Sequence, residues 1–75
     1  MEVNSTDTAA RIADIIERKR RAEKLSQRVV AERLGISQST FQRSLHGERS
    51  FRLEELLKVA RLLDLKPEVL FAEAA

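Results

Sequence analysis

Residues 26–46, SQRVVAERLGISQSTFQRSLH, set a helix-capping serine, a glycine and a second capping serine at intervals that fit two short helices joined by a tight corner. Ser26 can accept a backbone N–H at the start of a helix over about 27–34, in which Val30, Ala31 and Leu34 share one face. Gly35 follows where the chain must leave that helix with positive φ, a conformation that costs a residue bearing a β-carbon roughly 1 kcal/mol or more. Ile36 then plugs the corner, and Ser37 caps a second helix over about 38–45 whose Phe41 and Leu45 lie one turn apart on the inward face. At about 100° per residue, Gln38, Ser39, Gln42 and Arg43 gather on its outward face.

The remaining segments frame this pair. Residues 1–7 are polar and are expected to form a flexible arm, with Asp7 or Thr8 capping a first helix that carries Ile12, Ile15 and Ile16 on one face and runs to about Lys24. Between Gly47 and Leu53 the run ERSFR lacks helical periodicity and reads as a loop. Leu53, Leu56, Leu57, Ala60 and Leu63 then form the stripe of a core-facing helix, which Val59 and Leu62 widen. Pro67 suits the first position of a fifth helix. With no repeats and no Gly/Ser linker, the 75 residues predict one all-α domain over 8–75 with a small core and essentially no strand. Phe41 and Phe51 are expected core anchors, because the few aromatics of a small helical domain are needed for burial.

Composition narrows the function classes. Without cysteine the chain has no thiolate ligand, and a lone His46 cannot assemble a zinc site with thiol or imidazole partners, so no metal and no cofactor are expected. No apolar run approaches the ~18 residues of a bilayer span, and MEVNSTDT is polar where a signal peptide would be apolar; no membrane association and a cytoplasmic location are expected. Glu32, His46, Glu48 and Asp64 are each too isolated in sequence to suggest an acid/base pair, and neither a glycine-rich phosphate loop nor a nucleophile elbow occurs, so an enzyme is not expected. The net charge of +2 is uninformative, but its distribution is not. Arg18 to Arg21 form a basic block, Arg43, His46, Arg49 and Arg52 cluster after the second helix of the pair, and Glu54, Glu55, Asp64, Glu68 and Glu73 make the C-terminal part acidic.

Taken jointly, Leu25-Ser26-Gln27, Ala31, Leu34-Gly35-Ile36-Ser37, Phe41, Arg43 and Gly47 match the pattern of the XRE family of helix-turn-helix domains, the Cro- and lambda-repressor-like regulators. The resemblance continues through LEELLKVARLLDL at 53–65 and Lys66-Pro67-Glu68-Val69-Leu70-Phe71, so it spans about Arg11 to Phe71. It implies a compact five-helix lambda-repressor-like domain that binds double-stranded DNA and regulates transcription, as a repressor or Cro-type switch. Three positions depart from the family pattern. Ser44 stands where an apolar residue is usual, Arg52 where a capping Ser, Thr or Asp often precedes the fourth helix, and Asp64 where Gly usually follows it.

On this reading the third helix lies in the major groove, with Gln38 suited to an adenine edge, Arg43 to guanine O6/N7, and Ser39 and Gln42 as secondary readers. Arg43 has two further options, a phosphate or a carboxylate such as Glu32. Gln27, at a helix N-terminus, and Arg28, His46, Arg49 and Arg52 are the expected phosphate contacts, against the alternative of solvated loops. The block at 18–21 reads mainly as helix-surface charge, since four consecutive helical residues point in four directions. One such module covers little DNA, so a homodimer on a palindromic operator is expected, with Leu65, Pro67 and Phe71 at its seam or closing the core. A regulatory protein partner is a further expectation. The competing reading is a protein-interaction module on the same scaffold with weak DNA affinity. The polar outward face of the third helix argues against it, because an interface core would favour aromatic and aliphatic residues there.

Overall fold

The computed structural model describes residues 5–74, and side-chain surroundings for 8–72. They form α1 (Ser5–Ala22), α2 (Gln27–Leu34), α3 (Gln38–Leu45), α4 (Leu53–Leu62) and α5 (Pro67–Ala74), with no strand among the described residues. α1 packs on α3 and α5, α2 on α3 and α4, and α4 on α5. Their inward faces enclose one core, with Ile16, Val30, Phe41, Val59, Leu63 and Leu70 fully buried.

The corner forms as its residue types require. The Ser26 hydroxyl accepts the Val29 N–H at 3.1 Å and that of Ser37 accepts the Thr40 N–H at 3.0 Å. Gly35 takes φ +78°, and its N–H and that of Ile36 close the helix end on Glu32 and Ala31 carbonyls, each at 3.0 Å. Asp64 adopts φ +54° after α4, the left-handed turn for which glycine is usual, and Leu65 N–H bonds back to the Ala60 carbonyl at 2.7 Å. Asp tolerates that conformation better than most residues. α1 ends the same way, at Lys24 with φ +58°.

Two boundaries differ from the sequence expectation. α1 begins at Ser5, upstream of the expected caps Asp7 and Thr8, so 5–7 belong to its first turn rather than to an arm; residues 1–4 of that arm lie outside the described residues. Hydroxyl and acidic residues are at home in a helix's first turn, which makes its start hard to place from sequence alone. The α1 helix also stops at Ala22 rather than Lys24, because the left-handed turn needs Lys24 itself.

A third difference concerns α4. Leu53 is 61% exposed and Leu57 41%, although both belong to the expected core stripe. The buried face is instead Leu56, Val59 and Ala60, continued by Leu63. Neighbours α2 and α5 lie to one side of the stripe, and a leucine row wider than the contact necessarily leaves its edge in water.

A β-carbon added at Gly35 would meet nothing within 4 Å, so only backbone strain opposes a side chain there. Gly35→Ala is therefore expected to destabilise the domain by about 1–2 kcal/mol, with no loss of packing, as read by urea denaturation.

Candidate nucleic-acid interface

α3 is amphipathic with the division the sequence implies. Phe41, Ser44 and Leu45 are buried, while Gln38, Ser39, Gln42 and Arg43 are exposed together on the opposite face. The Phe41 ring meets Phe51 edge-on, with centroids 6.0 Å apart, which ties the helix to the loop that follows it. Among the described residues Arg43 pairs with no carboxylate, Glu32 included, so its guanidinium stands unengaged on the outward face.

Ser44 is buried at a position where an apolar residue would be ordinary, and its surroundings account for it. Its hydroxyl accepts from Arg49 Nη1 at 2.8 Å. The same guanidinium makes a forked pair with Glu55, at 3.0 and 2.8 Å, and Glu55 Oε1 also accepts the Arg52 N–H at 2.9 Å. Arg52 offers no side-chain acceptor at the start of α4, and the Glu55 carboxylate covers its backbone N–H instead. One buried carboxylate thus joins α3, the 47–52 loop and α4. Arg49, expected among the phosphate contacts, is turned inward to this carboxylate, with its side chain 19% exposed. Arg28, His46 and Arg52 remain exposed beside α3 and on the flanking turns.

A second polar network lies nearer the outward face. Glu17 on α1 accepts from Arg20 Nε at 2.6 Å and Nη2 at 3.0 Å, and Arg20 Nη1 donates to the Leu25 carbonyl at 2.5 Å. Glu17 Oε1 accepts from Gln27 Nε2 at 2.9 Å, and Gln27 Oε1 accepts from Gln42 Nε2 at 3.1 Å. Gln27 therefore bridges α1 and α3. The other cations of the 18–21 block are also paired, Arg18 with Asp14 and Lys19 with Glu23, which fits helix-surface charge. Burial raises the Glu17 carboxyl, but hydrogen bonds from Arg20 and Gln27 and the charges of Arg20 and Arg21 outweigh it and hold the group below its ordinary value.

Sequence periodicity finds every exposed residue of α3 but neither network. The i, i+3 spacing of Glu17 and Arg20 was a legible signal. The Gln27–Gln42 and Arg49–Glu55 contacts depend on how helices are set against one another, and no local pattern announces them.

The model of a family described as a helix-turn-helix domain matches residues 7–74. The chain belongs to the helix-turn-helix domain family. Its structure is similar to that of the restriction-modification controller protein C.AhdI from Aeromonas hydrophila, with TM-score 0.74 and 30% identity, over 84% of this chain and 96% of that one. Among curated proteins none is significantly similar in sequence. The XRE-type resemblance and the five-helix all-α fold thus hold, and this helix-turn-helix domain is a DNA-binding transcriptional regulator. No helix among the described residues is long and apolar enough to cross a membrane.

Hydrogen bonds from Arg49 hold the Glu55 carboxyl below its ordinary value of 4.5, against the opposing effect of burial. A depressed carboxyl favours the folded state above its unfolded value, and that contribution disappears as pH falls through the lower folded value. Glu55→Gln is expected to cost about 2–3 kcal/mol at pH 7, less than for a fully enclosed pair because Arg49 can turn to water. It should also flatten the decline of stability below about pH 4.5. Urea denaturation of both proteins at pH 7 and pH 3 measures both effects.

Proposed function

We propose that this chain is a sequence-specific regulator of transcription, acting as a repressor or Cro-type switch, that sets α3 in the major groove of double-stranded DNA and works as a homodimer on a palindromic operator. The observation that carries the reading is the outward face of α3: Gln38, Ser39, Gln42 and Arg43 are exposed side by side on a helix whose other face is locked into the core. Gln38, at the N-terminal end of α3, is placed to bond an adenine edge, and the unengaged Arg43 to fork onto guanine O6/N7. Ser39 and Gln42 read adjoining positions.

Backbone N–H groups at the start of α2, at Gln27 and Arg28, favour a phosphate, because the helix end carries partial positive charge. Arg28, His46 and Arg52 supply flanking cationic or hydrogen-bonding contacts. Arg49 serves the interface indirectly, by holding the loop that carries its neighbours. The similar solved structure is that of a restriction-modification controller, which supports a regulatory role of that class for this chain. Such a regulator acts in the cytoplasm, where its operator is.

The dimer seam follows α4 and α5. Leu65, Pro67 and Phe71 are half-buried there, and Leu53, Leu57 and Val69 add exposed apolar surface. A single module buries roughly 600–1,000 Å² on DNA, so pairing of two modules supplies the affinity a regulator needs.

Selection of the protein on a random double-stranded library is expected to enrich a palindrome with half-site centres about 34–36 Å apart. A lone half-site would remove the dimer, and no enrichment at low salt would overturn the DNA-reading proposal. Arg43→Ala is expected to weaken specific binding by about 1–3 kcal/mol and to relax discrimination at one base pair. An equal loss on all sequences, seen by titration on operator and unrelated DNA, would move Arg43 to the phosphate backbone.

A further inference from the structure

The hydrogen-bond chain from Glu17 through Gln27 to Gln42 has a direction. A glutamine amide can ordinarily present either its carbonyl or its NH₂ to a given partner, because the two ends are nearly isosteric. An ionised carboxylate removes that freedom, since it accepts only. Glu17 Oε1, 2.9 Å from the Gln27 amide, must face its NH₂. Gln27 Oε1 is then turned to α3, and at 3.1 Å it can only meet the NH₂ of Gln42. Reversing Gln42 would set two carbonyl oxygens against each other. Gln42 itself is exposed among the base-facing side chains, so the amide that Gln27 orients is one that DNA would meet.

We infer that the Glu17 carboxylate, acting through Gln27, fixes which end of the Gln42 amide faces the major groove and so makes Glu17 a positioning residue for base specificity. The inference rests on the DNA-reading role proposed for α3. With one N–H committed to Gln27, Gln42 presents its carbonyl oxygen and a single remaining N–H. That pair suits a base edge carrying a hydrogen-bond donor, adenine N6 or cytosine N4, and disfavours the acceptor-only edges of guanine and thymine. The carboxylate is suited to the task because it stays charged at neutral pH. Arg20 and Arg21 at once offset its repulsion of phosphates and hold its carboxyl below the ordinary value. Arg20 also holds it in place, with two nitrogens on its oxygens and the third on the Leu25 carbonyl.

Two measurements on the full chain test this, one with DNA and one without. In library selection, Gln42→Ala identifies the base pair that Gln42 reads. Glu17→Gln replaces an obligate acceptor by a reversible amide, and is expected to cut discrimination at that pair from roughly tenfold to about threefold or less, with guanine or thymine newly tolerated. Discrimination at the pairs assigned to Gln38 and Arg43 should be unchanged. Unaltered discrimination at the Gln42 pair, or an equal loss at every position, overturns the inference.

In the free protein, the side-chain amide signals of Gln42 and Gln27 are expected to show a mutual nuclear Overhauser effect and slowed solvent exchange, and in Glu17→Gln the slowed exchange of the Gln42 amide should weaken, because the reversed chain turns the Gln42 carbonyl to Gln27. Wild-type amides that exchange like a free glutamine would refute the relay whether or not the protein reads DNA. Enrichment failing for the wild type while the relay is seen would instead refute the DNA-reading role, and the specificity claim with it. If Glu17→Gln unfolds, Gln27→Met cuts the same chain and leaves the Glu17–Arg20 pair intact, and the same loss at the Gln42 pair is expected.

Discussion

A helix of eight residues is not stable alone in water, so α3 exists only because its inward face is held. Phe41 is the largest side chain in that hold. It is fully buried, lies edge-on to Phe51 and sits in the core that α1 and α2 close around α3. Fixing that one face decides the other, because the helical period carries Gln38, Ser39, Gln42 and Arg43 outward once Phe41 and Leu45 point in. The exposure of these four residues is therefore a consequence of core packing.

Polar networks complete what the core begins, and they do so at different depths. Ser44, Arg49 and Glu55 form a closed set in which each buried polar atom finds a partner, and no buried side-chain nitrogen or oxygen among the described residues lacks one. This network holds the end of α3 and the start of α4 in register. The Glu17 network is shallower, reaches the surface at Gln42, and links the framework helix α1 to the outward face. One network secures the position of α3, and the other orients a side chain upon it.

The three departures from the family pattern acquire physical reasons from this arrangement. Ser44 is acceptable in the interior because Arg49 reaches it. Arg52 is acceptable before α4 because Glu55 receives the N–H that a capping side chain would have taken. Asp64 is acceptable after α4 because it can enter the left-handed region at modest cost. Glu55 stands behind the first case by holding Arg49 and answers the second directly, which makes it more consequential than its place in a surface-like LEELL run suggests.

What the sequence by itself determined was whatever depends on local geometry. Ser26, Gly35 and Ser37 set the corner, and the period of α3 separated Phe41 and Leu45 from Gln38, Ser39, Gln42 and Arg43, because capping and helical phase are properties of a few consecutive residues. The angle at which helices meet was outside that reach. Tertiary structure alone decided that Leu53 and Leu57 stay in water while Val59 is enclosed, since a leucine-rich stripe does not state which edge its neighbours cover. It also decided that Arg49 turns inward to Glu55 and that Gln27 joins Glu17 to Gln42. Hydrogen bonds between residues far apart in the chain form only where packing brings their elements within about 3 Å, and that distance is written in the whole fold.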